Sequence, residues 1–199
     1  PAAEHALNQI EKRKSLPNAL LYIDQILNEG RLGLAETKIR AFLKKNPTHT
    51  YAMSLLSEIA NRLGYFDDAE FLLEKAVEFK PNDGDLRMQY ASILRKKQKF
   101  TKTMEQVNIL CDQYPDNLTY QAHKASEIMQ NGDHETAITL FDDILDKNPY
   151  NFSTHTSKGH AQKTLGKTDQ AINSYQSAYK IKPDHGESFF SLANLKTYS

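Results

Sequence analysis

Residues 165–168 read LGKT, the closing phrase of a phosphate-binding loop in which backbone amides cradle phosphates and a lysine reaches them. Such a loop needs a strand before it and a glycine five places earlier, where this chain has Ala161. Without them the phrase makes no phosphate site. Metal chemistry needs clustered ligands, and His155 and His160, five apart among the seven histidines, fall on different faces of a helix. No H-E-x-x-H or C-x-x-C occurs, so partly exposed histidines are expected and no metal centre. Nucleophilic chemistry would fall to Cys111, which has no activating neighbour in sequence and sits beside Leu110; a buried, inert thiol is expected. The 25 aspartates and glutamates supply many carboxylates, yet nothing singles out an acid–base pair. The expectation is no catalytic residue, no cofactor and no enzyme activity in these residues.

Composition narrows the partners. Lysine plus arginine equal aspartate plus glutamate at 25 each, so no global field favours nucleic acid or an anionic membrane. No apolar run approaches the roughly 18 residues of a membrane span, and no charged-apolar-small leader opens the chain. Pro1 in place of an initiator methionine suggests a trimmed start. One cysteine among 199 residues excludes an internal disulfide framework and points to a reducing compartment, the cytoplasm. The sequons at Asn117 and Asn151 read as chance, since asparagine is common in turns.

The elements follow a strict period. Pro47, Pro81, Pro115, Pro149 and Pro183 are spaced by 34 residues. Twelve residues before them stand Ala35, Ala69, Thr103, Ala137 and Ala171, and seventeen before stand Gly30, Gly64, Gln98, Gly132 and Gly166. Eight before are Ile39, Leu73, Val107, Phe141 and Tyr175; twenty-four before are the mostly small Ile23, Ser57, Ala91, Ala125 and Gly159. Each column has a physical role. The glycine closes one helix in a left-handed conformation, the alanine lets two antiparallel helices approach, and the proline stops the second helix. Asn82, Asp83, Asp116 and Asn117 after the prolines can cap the next helix. Helical spacing recurs, as in Phe141, Ile144 and Leu145, and strand alternation is missing. The chain is all-α.

A 34-residue helix-turn-helix with these small, aromatic and proline positions resembles the tetratricopeptide repeat family. The resemblance implies a solenoid of antiparallel helix pairs wound into a right-handed superhelix of about five and a half repeats. Their boundaries are 16–49, 50–83, 84–117, 118–151 and 152–185, with 186–199 as the first helix of a sixth repeat or a cap. Residues 1–15 do not fit and suggest an irregular leading helix with Ala3, Ala6, Leu7 and Ile10 on one side. Repeat three departs with Thr103 and Gln98, and repeats four and five carry Lys124 and Lys158 where an aliphatic residue is usual. Their stems can pack while the amines snorkel.

In this family the first helices line the concave side, and ligands are held largely by repeat positions 2, 5, 9, 12 and 13. Carried over, these are Tyr51, Ser54, Glu58, Asn61 and Arg62 in repeat two, and Asp85, Met88, Ser92, Arg95 and Lys96 in repeat three. Repeat four contributes Thr119, Ala122, Ser126, Met129 and Gln130; repeat five contributes Ser153, Thr156, His160 and Lys163. Repeat one has Leu20 and Asp24 where chaperone-binding relatives carry their Lys/Asn carboxylate clamp, so a chaperone tail is a poor fit. The expected function is a protein–protein interaction scaffold that takes a peptide or helix of a partner in its groove, as the N-terminal arm of a larger protein.

The closing phrase SLANLKTYS, residues 191–199, resembles the junction in bacterial repeat-linked sulfotransferases. It offers the alternative of a recruiting region for a catalytic domain beyond residue 199; the sulfonate-donor loop is absent from these residues. Phe189, Leu192 and Leu195 form a stripe on that last helix, expected to be partly uncovered and to support self-association.

Overall fold

The computed structural model describes residues 16–197, so the leading segment expected over 1–15 lies outside the described residues. Among the described residues there are eleven helices and no strand. Two compact units divide between Lys99 and Phe100, inside the third repeat. The first holds α1 (Asn18–Asn28), α2 (Leu32–Lys45), α3 (Thr50–Arg62), α4 (Phe66–Phe79) and α5 (Gly84–Lys96). The second holds α6 (Phe100–Gln113), α7 (Leu118–Gln130), α8 (His134–Lys147), α9 (Phe152–Thr164), α10 (Thr168–Ile181) and α11 (Gly186–Thr197). Within each unit every helix packs on the next in sequence. The first helices of neighbouring repeats also touch, α1 on α3 and α3 on α5 in one unit, α7 on α9 in the other. Short turns joining successive packed helices make antiparallel pairs, stacked as a solenoid in each unit.

The columns read from the sequence have the expected burial. Ala35, Ala69, Ala137 and Ala171 are fully buried, and Thr103 nearly so. Ile39, Leu73, Val107, Phe141 and Tyr175 are buried beside them, as are Ile23, Ser57, Ala91, Ala125 and Gly159. Gly159 shows why its column is small: a Cβ there would lie 2.6 Å from the Tyr175 ring. Turn chemistry also matches. The side chains of Asp83, Asn117, Asp133 and Asn151 accept backbone N–H groups at the starts of α5, α7, α8 and α9. Lys158 snorkels as expected, its amine ion-paired with Asp142.

The left-handed column is occupied at all five turns, four times by glycine and once by Gln98 at φ 57°. A residue with a Cβ adopts this conformation at a cost of about 1 kcal/mol or more. Here it lies between two lysines that converge on one carboxylate. Glu70, buried on α4, accepts from Lys97, and from Lys99 at 2.6 Å. Lys97 also bonds exposed Asp67. Burial pushes the Glu70 carboxyl up, but the hydrogen bonds and charges of the two lysines outweigh it and hold the group below its ordinary value. The basic run RKKQKF is therefore partly structural.

Exposure is uneven at the last helix. Phe189 and Phe190 are 51% and 66% exposed, while Leu192 and Leu195 are half-buried.

Two expectations follow from this packing. Ala69→Leu or Ala137→Leu should overpack a crossing and destabilise by about 1–3 kcal/mol. Thermal melts that match the parent would show the helix register to be wrong. The Glu70 carboxylate, depressed in the folded state, contributes stability that is present above the unfolded carboxylate range, near pH 4.3 for glutamate, and is lost as pH falls through the lower folded value. Glu70→Gln should lower stability at neutral pH, and its deficit against the parent should shrink on acidification. A deficit constant from pH 7 to pH 3 in parallel denaturant titrations would remove the ion cluster from the account.

Candidate functional site

In the first unit the predicted ligand positions fall on α3 and α5. Tyr51, Glu58 and Asn61 are half-buried on α3 and Arg62 is exposed; on α5, Asp85, Met88 and Arg95 are half-buried, with Ser92 and Lys96 exposed. Ser54 is buried, so it adds little surface for a ligand. Four of the predicted residues form one polar chain. Arg62 donates from Nε to Glu58 at 2.7 Å and from a terminal nitrogen to the Leu27 carbonyl near the end of α1 at 3.0 Å. Asn61 donates to Glu58 at 3.3 Å, and its own carbonyl oxygen accepts from Lys96 at 2.7 Å.

Both inter-repeat links span 35 residues, so position 13 of one repeat reaches position 12 of the one before. The two cations are not equivalent. Arg62 spends its charge on a carboxylate and on the negative end of a helix. Lys96 meets a neutral amide oxygen and lies 5.8 Å from the centre of the Phe66 ring, so neither contact neutralises it.

In the second unit the predicted residues behave differently. Ser126 and Met129 are half-buried on α7, Met129 packing on the cluster around Ala125 and Phe141, and Gln130 is exposed. On α9, Lys163 is exposed, Thr156 is buried and His160 is half-buried. The last two hold α11. Thr156 Oγ1 lies 2.9 Å from the buried Ser188 Oγ, and Ser188 also bonds His185 Nδ1 at 3.0 Å. His160 lies between two oxygen partners, Tyr175 at 2.9 Å on Nδ1 and Glu187 at 3.1 Å on Nε2.

Burial pushes the Tyr175 hydroxyl up to about 12, so it stays protonated. A carboxylate only accepts, so Nε2–H donates to Glu187, and in the neutral imidazole Nδ1 then accepts a hydrogen bond from the Tyr175 hydroxyl. Sequence reasoning did not find Ser188, His185 and Glu187, because their role depends on the next helix docking.

The residues weighed for chemistry in the sequence each have a place in the repeat fold. Gly166 occupies the left-handed turn at φ 73°, and Lys167 pairs with Glu135 at 2.8 Å. His155 bonds the Pro149 carbonyl at 2.9 Å, away from the partners of His160. Cys111 is half-buried, less enclosed than expected, because it lies one residue past the fully buried Leu110; burial still pushes its thiol up. Asn117 and Asn151, the sequon asparagines, spend their side-chain oxygens as helix caps. Among the described residues no three His, Cys, Asp or Glu side chains gather as a metal site, and no helix is long and apolar enough to cross a membrane.

Known proteins match this architecture. Residues 27–85 and 152–185 each match a family model of the tetratricopeptide repeat. The chain is 25% identical over 183 residues to the DnaJ protein P58IPK homolog A of Oryza sativa subsp. japonica, covering 84% of this chain and 38% of that protein. It is 25% identical over 134 residues to the tetratricopeptide repeat-containing protein trd-1 of Caenorhabditis elegans, covering 66% of this chain and 16% of that one. It therefore spans well under half the length of either relative.

Among solved structures, a tetratricopeptide repeat protein from Parabacteroides merdae ATCC 43184 aligns with a TM-score of 0.78 at 18% identity, over 90% of this chain and 71% of that one. YrrB, described as having an unusual peptide-binding site, aligns with a TM-score of 0.67 at 14% identity, over 93% of this chain and 96% of that one. At these identities the structures speak to the fold. Residues 27–85 and 152–185 thus match tetratricopeptide repeats, and each of the two units is built as stacked helix pairs.

Proposed function

We propose that the chain is an interaction scaffold that receives an extended or helical segment of a partner protein on the first-helix face of its repeats. The observation that carries this is the polar chain from the Leu27 carbonyl through Arg62, Glu58 and Asn61 to Lys96. It fixes hydrogen-bonding side chains along one face of touching helices, an arrangement that lowers the cost of ordering them on binding. Arg95, Lys96 and Lys163 attract acidic side chains of the partner, whereas Arg62 is committed to Glu58 and the Leu27 carbonyl. Lys96 is the leading contributor in the first unit, because its contacts leave its charge in place. YrrB's described peptide-binding site is a precedent for this use of the fold.

A second reading is a recruiting region for a sulfonate-transferring domain. It rests on the phrase SLANLKTYS alone. A protein that contains this chain together with a domain transferring sulfonate from a donor to an acceptor would support it. A neighbouring domain of another class would end it.

The scaffold reading is tested by reversing charge in place. Arg95→Glu with Lys96→Glu should weaken binding to an array of short acidic peptides about tenfold or more, and flatten its dependence on salt. Unchanged affinity and salt slope, with the helical fold intact by circular dichroism, would rule out the first-helix face as the acidic-peptide site.

A further inference from the structure

The repeats act as controls for one another. At the sixteenth position of each stand Arg31, Tyr65, Lys99, Asp133 and Lys167; at the twenty-second stand Thr37, Phe71, Glu105, Thr139 and Asn173. The helix pair therefore forms with polar residues at both places. Repeat two has an aromatic ring at each.

Neither ring is spent on the core. Tyr65 is 61% exposed, Phe71 is 59% exposed, and neighbouring Leu63 is 44% exposed. They line one cavity of about 200 Å³ together with the buried Leu56, Ile59 and Ala60. It is bordered by α2, α3, the turn after α3 and α4. The volume limits what could fill it. An engineered apolar cavity of roughly 150 Å³ holds benzene, whereas small-molecule and cofactor sites run to roughly 300–1,000 Å³. This cavity suits one large side chain.

The charges beside it decide the flank. Glu36, Arg40 and Asp68 border the cavity. Arg40 is committed to Glu36 at 2.8 Å, while Asp68 is exposed and makes no ion pair with any described residue. The border is thus left with one uncompensated carboxylate next to exposed rings. Apolar walls with an acidic edge complement an apolar side chain with a cation beside it, and aromatic walls are where interface energy concentrates.

We propose that the first unit has a second docking site, in which a partner segment inserts one large apolar side chain between Tyr65 and Phe71 and places a lysine or arginine against Asp68. The site does not share the cations of the acidic-peptide site, since Arg62, Arg95 and Lys96 do not line it.

The repeats supply the test variants. Tyr65→Arg with Phe71→Thr installs the residues that repeat one carries at the same positions, and Leu63→Glu does so for Glu29. The probe is an array of short peptides with a central Leu, Phe or Trp, flanked by lysine or by glutamate. Lysine-flanked peptides should bind the parent chain. Binding should weaken about tenfold in the double variant and in Leu63→Glu, and persist in the Arg95→Glu, Lys96→Glu chain.

If the double variant does not fold, Leu63→Glu and Asp68→Lys decide alone, the latter by abolishing the preference for lysine flanks. A preference for glutamate flanks in the Arg95→Glu, Lys96→Glu chain, or affinity for lysine-flanked peptides that survives these changes, overturns the proposal. So does a parent chain that binds no peptide but forms a dimer that Leu63→Glu dissociates. Loss of binding in the Arg95→Glu, Lys96→Glu chain alone supports the first-helix reading and overturns this one.

Discussion

Everything in this fold depends on how closely the two helices of a pair can approach. Ala35, Ala69, Ala137 and Ala171 are completely buried at the crossings, so no larger side chain sets the separation. Packing at interior density then forces the neighbouring columns to complement each other in volume. Phe141 shares a cluster with Ala125. Tyr175, larger again, presses its ring where Gly159 has no Cβ. As the ring grows, the residue facing it shrinks. The alanine column is thus one part of a volume constraint that the second unit meets differently in each repeat.

Charge works more locally. The chain is neutral overall, yet opposite charges gather at particular joints. Repeat three lacks glycine at its turn, and the residues on either side of Gln98 both reach Glu70. The cluster ties the left-handed turn to the preceding repeat. At α11 the tie includes hydrogen bonds of His160 with Glu187 and of Thr156 with Ser188. Two first-helix positions expected to face a ligand serve there as internal hydrogen-bonding groups.

What could be read from the sequence was whatever repeats. The five columns, the left-handed turns, the caps at Asp83 and Asn117 and the snorkelling of Lys158 all follow from residue type and a 34-residue ruler. What could not be read depended on a neighbouring repeat. Arg62 is drawn to the Leu27 carbonyl and Lys96 to Asn61, 35 residues away, and position alone does not reveal either partner. Burial of Ser54 and Thr156 was missed as well; Thr156 meets Ser188, 32 residues on, which its position in the repeat does not reveal. The cavity beside Tyr65 was visible only as an irregularity, two rings in columns otherwise polar.

That irregularity suggests how a periodic protein can be read for function. Each departure from the repeat can be asked whether the fold uses it. Lys158 departs, and Asp142 receives it. Gln98 departs, and the Glu70 cluster flanks it. Gly159 is the smallest member of its column, and Tyr175 fills the space. Each of these is explained inside the chain, so none points outward. Tyr65 and Phe71 depart as well, but they remain in water around a cavity that nothing in the described residues fills. Leaving rings exposed forgoes burial energy that other residues of the same chain obtain. A departure that the fold does not use is the kind that a partner can use.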